Sequence, residues 1–378
     1  MEAMMQALMF NCEDHVQKFG HEIIFHADSA YEEDAKALVV MPEEETSEKS
    51  PVLLFLLGNG HVNDRDKMTG GMGLDILLRN EQIRHKFITV VPKPTTNSGL
   101  VTYIRKGWQR RWSEDAVWSL FTEVLRRLGP EKADPARLYV TGTSLGATGT
   151  WSLAIKYGKM LAGVAPVSGR CDWPGNTWPG DASKPAPAVL ENLSSLSMRA
   201  YQIDIDSRAG NPEQDIGFIA ADLQEKCRNI EMPGFNLGGE KCKVRVKEWR
   251  WKPKGATLEL WWVTGPLTDC PLFSEPDNHC LWLRTYPHAQ WGMASFFLRN
   301  QVPEERQWRF DSDPIKVDSS EEKAKTDAWW AEWDQEPDQW SSEYKDPSKA
   351  APPKDVKDDP RDGPEVPPQT APYSESYY

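Results

Sequence analysis

Gly142-Thr143-Ser144-Leu145-Gly146 carries the spacing glycine-x-serine-x-glycine, the residue pattern of a nucleophile elbow. A short apolar run, Leu138-Tyr139-Val140, precedes it and reads as a buried strand, and a helical segment follows. A serine in a sharp strand-to-helix turn presents its hydroxyl at the helix N-terminus, where developing negative charge is also favoured. The flanking glycines let strand and helix approach closely. Such a hydroxyl is a poor nucleophile until a base takes its proton, and that base needs a carboxylate to fix its tautomer.

The chain has seven histidines, and only His279 and His288 lie downstream of Ser144, where the elbow's usual order of Ser, then Asp or Glu, then His places the base. His288 is the expected base. It follows an apolar run, Cys280 to Tyr286, that reads as a strand, and it precedes a short apolar helix, Trp291 to Leu298. His279 follows Glu275-Pro276-Asp277-Asn278 and reads as a solvated loop residue. For the acid, Asp206 lies just past the strand-like Met198 to Ile205. Asp204 is the alternative acid two residues earlier, and Asp215 is a third choice. An oxyanion hole needs the N–H of Leu145 and one from a loop after an earlier strand. The Gly58-Asn59-Gly60 turn supplies that loop, with Asn59 or Gly60 as donor.

No metal and no cofactor are expected. His15, His21 and His26 have no acidic or cysteine partner at ligand spacing, and the six cysteines form no C-x-x-C pair and read as buried free thiols. No phosphate-cradling glycine loop precedes a Lys-Ser/Thr pair.

The elements around these residues alternate. Ala37–Met41, Val52–Leu57 and Phe87–Val91 read as strands. Ser113 caps a helix whose Val117, Leu120, Phe121, Val124, Leu125 and Leu128 share one face, and Gly129-Pro130 stops it. Ala162–Val167 is the strand after the elbow helix, and 212–228 reads as a helix with Ile216, Ile219, Ala220 and Leu223 inward. Lys243–Trp251 alternates, with a phase slip at Glu248 read as a bulge, and pairs with Leu258–Val263. His21–His26 reads as an edge strand. Alternating strands and amphipathic helices predict an α/β fold with a mostly parallel sheet and helices on both faces. Ligands then sit at the carboxyl ends of the strands, where Asn59, Lys93 and Ser144 all fall.

Composition adds boundaries. Net charge is −13, yet from Gln301 onward 20 acidic residues face 10 basic ones, so the acidity is concentrated in the tail. Neither part is basic enough for nucleic acid. No run is long enough to cross a bilayer, and the N-terminus has no basic leader, so a cytoplasmic protein is expected. Residues 1–30 read as an N-terminal extension, 31–300 as the catalytic domain, and 301–378 as a tail. The tail has 11 prolines and no apolar period, so it is expected to be largely disordered. Its Trp329, Trp330, Trp333 and Trp340 are candidates to dock on the body or on a protein partner.

The stretch from Trp112 to Gly169 resembles the esterase-like branch of the α/β-hydrolase superfamily, which includes predicted peptidases, phospholipase/carboxylesterase-type proteins, feruloyl esterases and polyhydroxybutyrate depolymerases. The resemblance is carried by Ser113-Glu114-Asp115, Asp134-Pro135-x-Arg137, Tyr139 to Gly146, Gly149-Thr150-Trp151 and Ala165-Pro166-Val167-Ser168-Gly169. It implies an α/β-hydrolase fold, Ser144 as nucleophile, the Asp204/Asp206 pair as the place of the acid, and His288 as base. Three departures stand out. Leu57 occupies the place of a usual histidine, Gly146-Ala147 replaces a Gly-Gly pair, and His288 lies 82 positions after Asp206. That spacing implies an inserted β-hairpin around residues 243–275, before the base.

The expected activity is hydrolysis of a small-molecule or polymeric carboxylic ester through an acyl-enzyme, with peptide or thioester cleavage as variants of the same chemistry. The rival is a non-catalytic binding protein on the same fold, with Trp173, Trp178, Trp249, Trp251, Trp261 and Trp262 as contact residues. Such tryptophans are more often packing. The presence of all three triad residue types in order favours the enzyme.

Overall fold

Long apolar runs set the centre of the sheet. The computed structural model describes residues 10–25, 35–44, 48–59, 73–94, 100–103, 110–171, 187–203, 206, 216, 219–220, 223–232, 242–251, 256–264 and 279–312. All lie in the first of the chain's two compact units, Met1–Asp318. Strand β1 is Gly20–Phe25, β2 Ala35–Val40, β3 Ser50–Leu56, β4 Ile88–Lys93, β7 Ala133–Thr143, β8 Gly163–Val167, β9 Ser197–Ile203, β10 Glu225–Met232, β11 Cys242–Arg250 and β12 Thr257–Thr264. Together they form one sheet in the order β1-β2-β4-β3-β7-β8-β9-β12-β11-β10, and β5 (Val101–Tyr103) and β6 (Arg110–Trp112) make a separate hairpin. The six strands from β4 to β12 are parallel, and antiparallel pairs close both flanks. In β3, residues from Pro51 to Leu56 are all buried, as a strand covered on both faces demands.

Helix α1 is Cys12–Phe19, α2 Leu74–Leu78, α3 Glu81–Lys86, α4 Glu114–Leu128, α5 Leu145–Tyr157, α6 Pro187–Ser194, α7 Trp282–Thr285 and α8 Met293–Leu298. In α4 the acidic Glu114 and Asp115 sit in the first turn and Arg126 and Arg127 in the last, each matching the helix dipole. The opposite faces of β7 show how helices cover both sides of the sheet. Tyr139 packs on Phe297 of α8, while Gly142 abuts Gly146 of α5.

The antiparallel flank carries the main corrections. The helix expected over 212–228 is helical at Ile216, Ile219 and Ala220, which are buried, but Glu225–Met232 is a strand. Its charges stand on both faces because it is an edge strand exposed over most of its length, so neither period is visible in the sequence. Glu248 is not a bulge, since the register runs unbroken from Lys243 to Arg250. The inserted hairpin is β10–β11, whereas β12 belongs to the parallel sheet through its pairing with β9. Cys280–Tyr286 is not a strand, because Trp282–Thr285 is a turn of helix.

The core is continuous from Cys12 to Trp308. Residues 301–312 pack on the body: Val302 donates its N–H to the Ala136 carbonyl, and Val302 and Trp308 are buried. The disorder expected for the rest of the tail, with its four tryptophans, falls outside the described residues, as do Trp173 and Trp178. Trp249, Trp251 and Trp261 are buried packing residues, and Trp262 is half-buried. No helix among the described residues is long and apolar enough to cross a membrane.

Among the described cysteines, Cys12 and Cys227 carry free thiols, and Cys270 lies outside the described residues. Cys12, Cys171 and Cys280 are buried, Cys242 is half-buried, and Cys227 on β10 is exposed. Burial and the Asp75 carboxylate push the Cys12 thiol up to about 12, so little thiolate forms. Iodoacetamide at pH 8 is therefore expected to alkylate Cys227 well before Cys12, as read by peptide mass spectrometry; equal rates would contradict this burial.

Candidate active site

The elbow is built as the spacing predicts. Ser144 joins the end of β7 to the start of α5 at φ 52°, ψ −116°, a left-handed conformation that non-glycine residues rarely adopt. Its N–H is held by the Val167 carbonyl at 3.1 Å, and its own carbonyl accepts from Ala147 and Thr148 in the first turn of α5. A Cβ on Gly146 would run into the Leu56 carbonyl and stand 2.9 Å from the Leu57 oxygen, and one on Gly142 would meet the Gly146 backbone. Backbone cannot yield there as a flexible side chain could. Gly146→Ala is accordingly expected to cost about 2–3 kcal/mol in urea unfolding; an unchanged midpoint would mean that strand and helix tolerate the wider spacing.

Two side chains converge on Ser144. His279 Nε2 lies 2.7 Å from Ser144 Oγ, and His279 Nδ1 lies 2.9 and 3.0 Å from the two carboxylate oxygens of Asp206. Asp206 is fully covered and the His279 side chain is 7% exposed, so the chain of hydrogen bonds is shielded from water at that end. An ionised carboxylate only accepts, so it fixes the proton on Nδ1 and leaves Nε2 to accept from the serine hydroxyl. The indole of Trp282 meets the imidazole edge-on, at a centroid distance of 5.3 Å and 87° between planes.

The structure brings His279, and not the expected His288, to Ser144. His288 stands ahead of a single 3₁₀ turn, Ala289–Trp291, and its carbonyl accepts from the Trp291 N–H. The cause is topological. Because β12 pairs in parallel with β9, it is the last strand of the parallel set, and the segment after it begins at the carboxyl ends of the strands. That segment delivers His279. The sequence signal was available in Leu258–Val263, whose apolar run suits a strand covered on both faces better than one arm of an exposed hairpin.

Asp206 follows the end of β9, and its N–H approaches the Ile203 carbonyl at 3.5 Å. Asp204 and Asp215 lie outside the described residues. Leu145 is the first residue of α5, so its N–H has no partner within the helix. The turn after β3 passes close by, since a Cβ on Gly58 would stand 3.5 Å from Ser144 Cβ. Asn59 is exposed in that turn, and Gly60 lies outside the described residues. No group of three or more metal-ligating side chains occurs among the described residues.

The segment bearing His279 is pinned below the site. The Tyr286 hydroxyl is 2.9 Å from Thr141 Oγ1 on β7, the strand that leads to Ser144, and Asn80 Nδ2 donates to the Tyr286 carbonyl at 2.9 Å. Burial raises the Tyr286 pKa, so the phenol stays protonated.

No family model and no curated protein matches this sequence. Among solved structures, a thermostable esterase is similar at a TM-score of 0.51 and 16% identity, covering 75% of this chain. The chain spans 64% of that esterase's length. An acetyl xylan esterase from Aspergillus awamori aligns over 65% of this chain at 15% identity, with a TM-score of 0.41 too low to carry an argument. Six parallel strands, an elbow after one of them and the likeness to the thermostable esterase agree on the architecture: this chain has the α/β-hydrolase fold.

Proposed function

We propose that this protein is a serine hydrolase that cleaves carboxylic esters through an acyl-enzyme, with Ser144 as nucleophile, His279 as base and Asp206 as acid. The observation that carries the reading is the continuous hydrogen-bond chain from Ser144 Oγ through both imidazole nitrogens to a covered carboxylate. His279 Nε2 takes the hydroxyl proton as Oγ attacks the ester carbonyl. Asp206 stabilises the imidazolium without taking its proton. The Leu145 N–H and a donor from the Asn59–Gly60 turn hold the oxyanion. His279 then returns the proton to the leaving alcohol, and a water repeats the cycle to release the acid.

The ester is favoured over peptide or thioester on the sequence resemblance set out above, and the same machinery serves either variant. An activity-based fluorophosphonate probe tests the reading directly. The wild type is expected to take the label and hydrolyse short p-nitrophenyl esters, and Ser144→Ala to do neither. A wild type that stays unlabelled, or a Ser144→Ala protein labelled to the same extent, would sink it.

A further inference from the structure

Leu57 departs from the histidine usual in the resembled family, and the loop it opens must be held by some other group. We infer that Trp112 is a positioning residue for the oxyanion turn, an inference that rests on the hydrolase reading of the site. The Trp112 side chain is fully buried, and its indole Nε1–H donates to the Leu57 carbonyl at 3.2 Å. Leu57 is itself fully buried, and its carbonyl oxygen would stand 2.9 Å from a Cβ placed on Gly146. The carbonyl is therefore fixed between the indole and the first turn of the nucleophile helix. A peptide unit is planar and trans, so fixing the Leu57 carbonyl also fixes the direction of the Gly58 N–H and the course of the chain into Asn59.

Trp112 is well placed to hold that direction. It ends β6, opposite Val101, and the N–H of the next residue, Ser113, is bonded to the Leu100 carbonyl at 2.9 Å. Ser113 then starts α4, whose Trp118 stacks on Tyr157 of the nucleophile helix. The turn after β3 is thus tied through one indole to the elements that bear Ser144. An oxyanion hole needs such support, because a donor displaced by a fraction of an ångström no longer meets the charge that develops in the transition state. Trp112 touches no substrate in this scheme and acts only through the peptide it holds.

Trp112→Phe removes the donor and keeps most of the packing. Trp112→His returns a ring N–H, because the imidazole overlays the five-membered half of the indole. Wild type and both variants are assayed on a short p-nitrophenyl ester and titrated with a trifluoromethyl ketone, which forms an oxyanion on the serine. Trp112→Phe is expected to lose about 10- to 100-fold in kcat with KM within about twofold. Its affinity for the ketone is expected to fall in parallel, and Trp112→His to recover part of both. A purely structural role would lower the melting temperature without coupling kcat to ketone affinity. The inference is overturned if Trp112→Phe stays within about twofold in kcat/KM, or if kcat falls while ketone affinity holds. Should Trp112→Phe fail to fold, Trp112→His is read instead for coupling: kcat and ketone affinity are expected to change together, and a fall in kcat with ketone affinity unchanged overturns the inference. An inert wild type would overturn the hydrolase reading and this inference with it.

Discussion

Alanine at His279 is expected to lower kcat/KM on a short p-nitrophenyl ester by about 10⁴- to 10⁶-fold, whereas alanine at His288 should leave it within about threefold. The difference follows from position alone. Nε2 of His279 lies 2.7 Å from Ser144 Oγ, and His288 belongs to a different turn. The members of a triad act as a unit, so Ser144→Ala combined with His279→Ala is expected to be no worse than either alone. Asp206→Asn preserves the shape but can present its amide to Nδ1, favouring the tautomer that leaves Nε2 protonated and unable to accept. A loss of about 10⁴-fold is expected for it. If His288→Ala proved the damaging change, the hydrogen-bond chain described above would have no part in the chemistry.

The second large effect concerns stability beneath the site. Arg199 on β9 and Glu259 on β12 form a buried pair, with Nε 2.8 Å from Oε2 and side-chain exposures of 4% and 11%. The network extends further. Trp261 Nε1 donates to the same carboxylate oxygen at 2.8 Å, Arg199 Nη1 donates to the Gly292 carbonyl at 3.1 Å, and the guanidinium lies over Trp261 and Phe296. Nearby, the Tyr201 hydroxyl donates to the Trp291 carbonyl, its pKa pushed up to about 12 by burial. Glu259→Ala leaves a guanidinium in a dry environment with its counter-charge removed. The expected loss is about 3–5 kcal/mol, measured by urea denaturation. Replacing both partners, Arg199→Met with Glu259→Leu, should recover most of that loss, because no charge is then stranded. A double variant as unstable as the single one would show that the hydrogen bonds to Gly292 and Trp261, rather than the unpaired charge, set the cost. The pair matters to the site because β9 leads to Asp206 and β12 leads to His279.

Local chemistry made much of this protein legible in its sequence. Glycines at 142 and 146 around Ser144 announced a strand-to-helix turn, since only a residue without a side chain fits against the Leu56 and Gly146 backbones. The period of Glu114–Leu128 and the apolar runs of β3, β4, β8 and β9 fixed the alternation of elements, because a face buried against a sheet must be apolar at regular intervals. Asp206 was within reach for the same reason, being the residue just past a strand end.

What the sequence could not hold is which strands lie side by side. Leu258–Val263 can pair with Lys243–Trp251, and does, but its second neighbour is β9, 60 residues upstream at the paired positions Val263 and Ile203. Backbone hydrogen bonds on a strand's two edges are blind to side-chain pattern, so that second pairing leaves no local trace. It decides that β12 ends beside β9 at the carboxyl edge of the parallel strands, the edge at which His279 is buried against Asp206 instead of solvated in a polar loop. Tertiary structure likewise decided how the turn after β3 is held without a histidine, through the indole of Trp112, which lies 55 residues away along the chain. The sequence by itself determined the turn at Ser144 and the class of the fold, because both are written in local sterics and periodicity. The placing of His279 on Ser144 and the hold of Trp112 on the turn after β3 were decided only in three dimensions, because each depends on contacts between residues far apart in the chain.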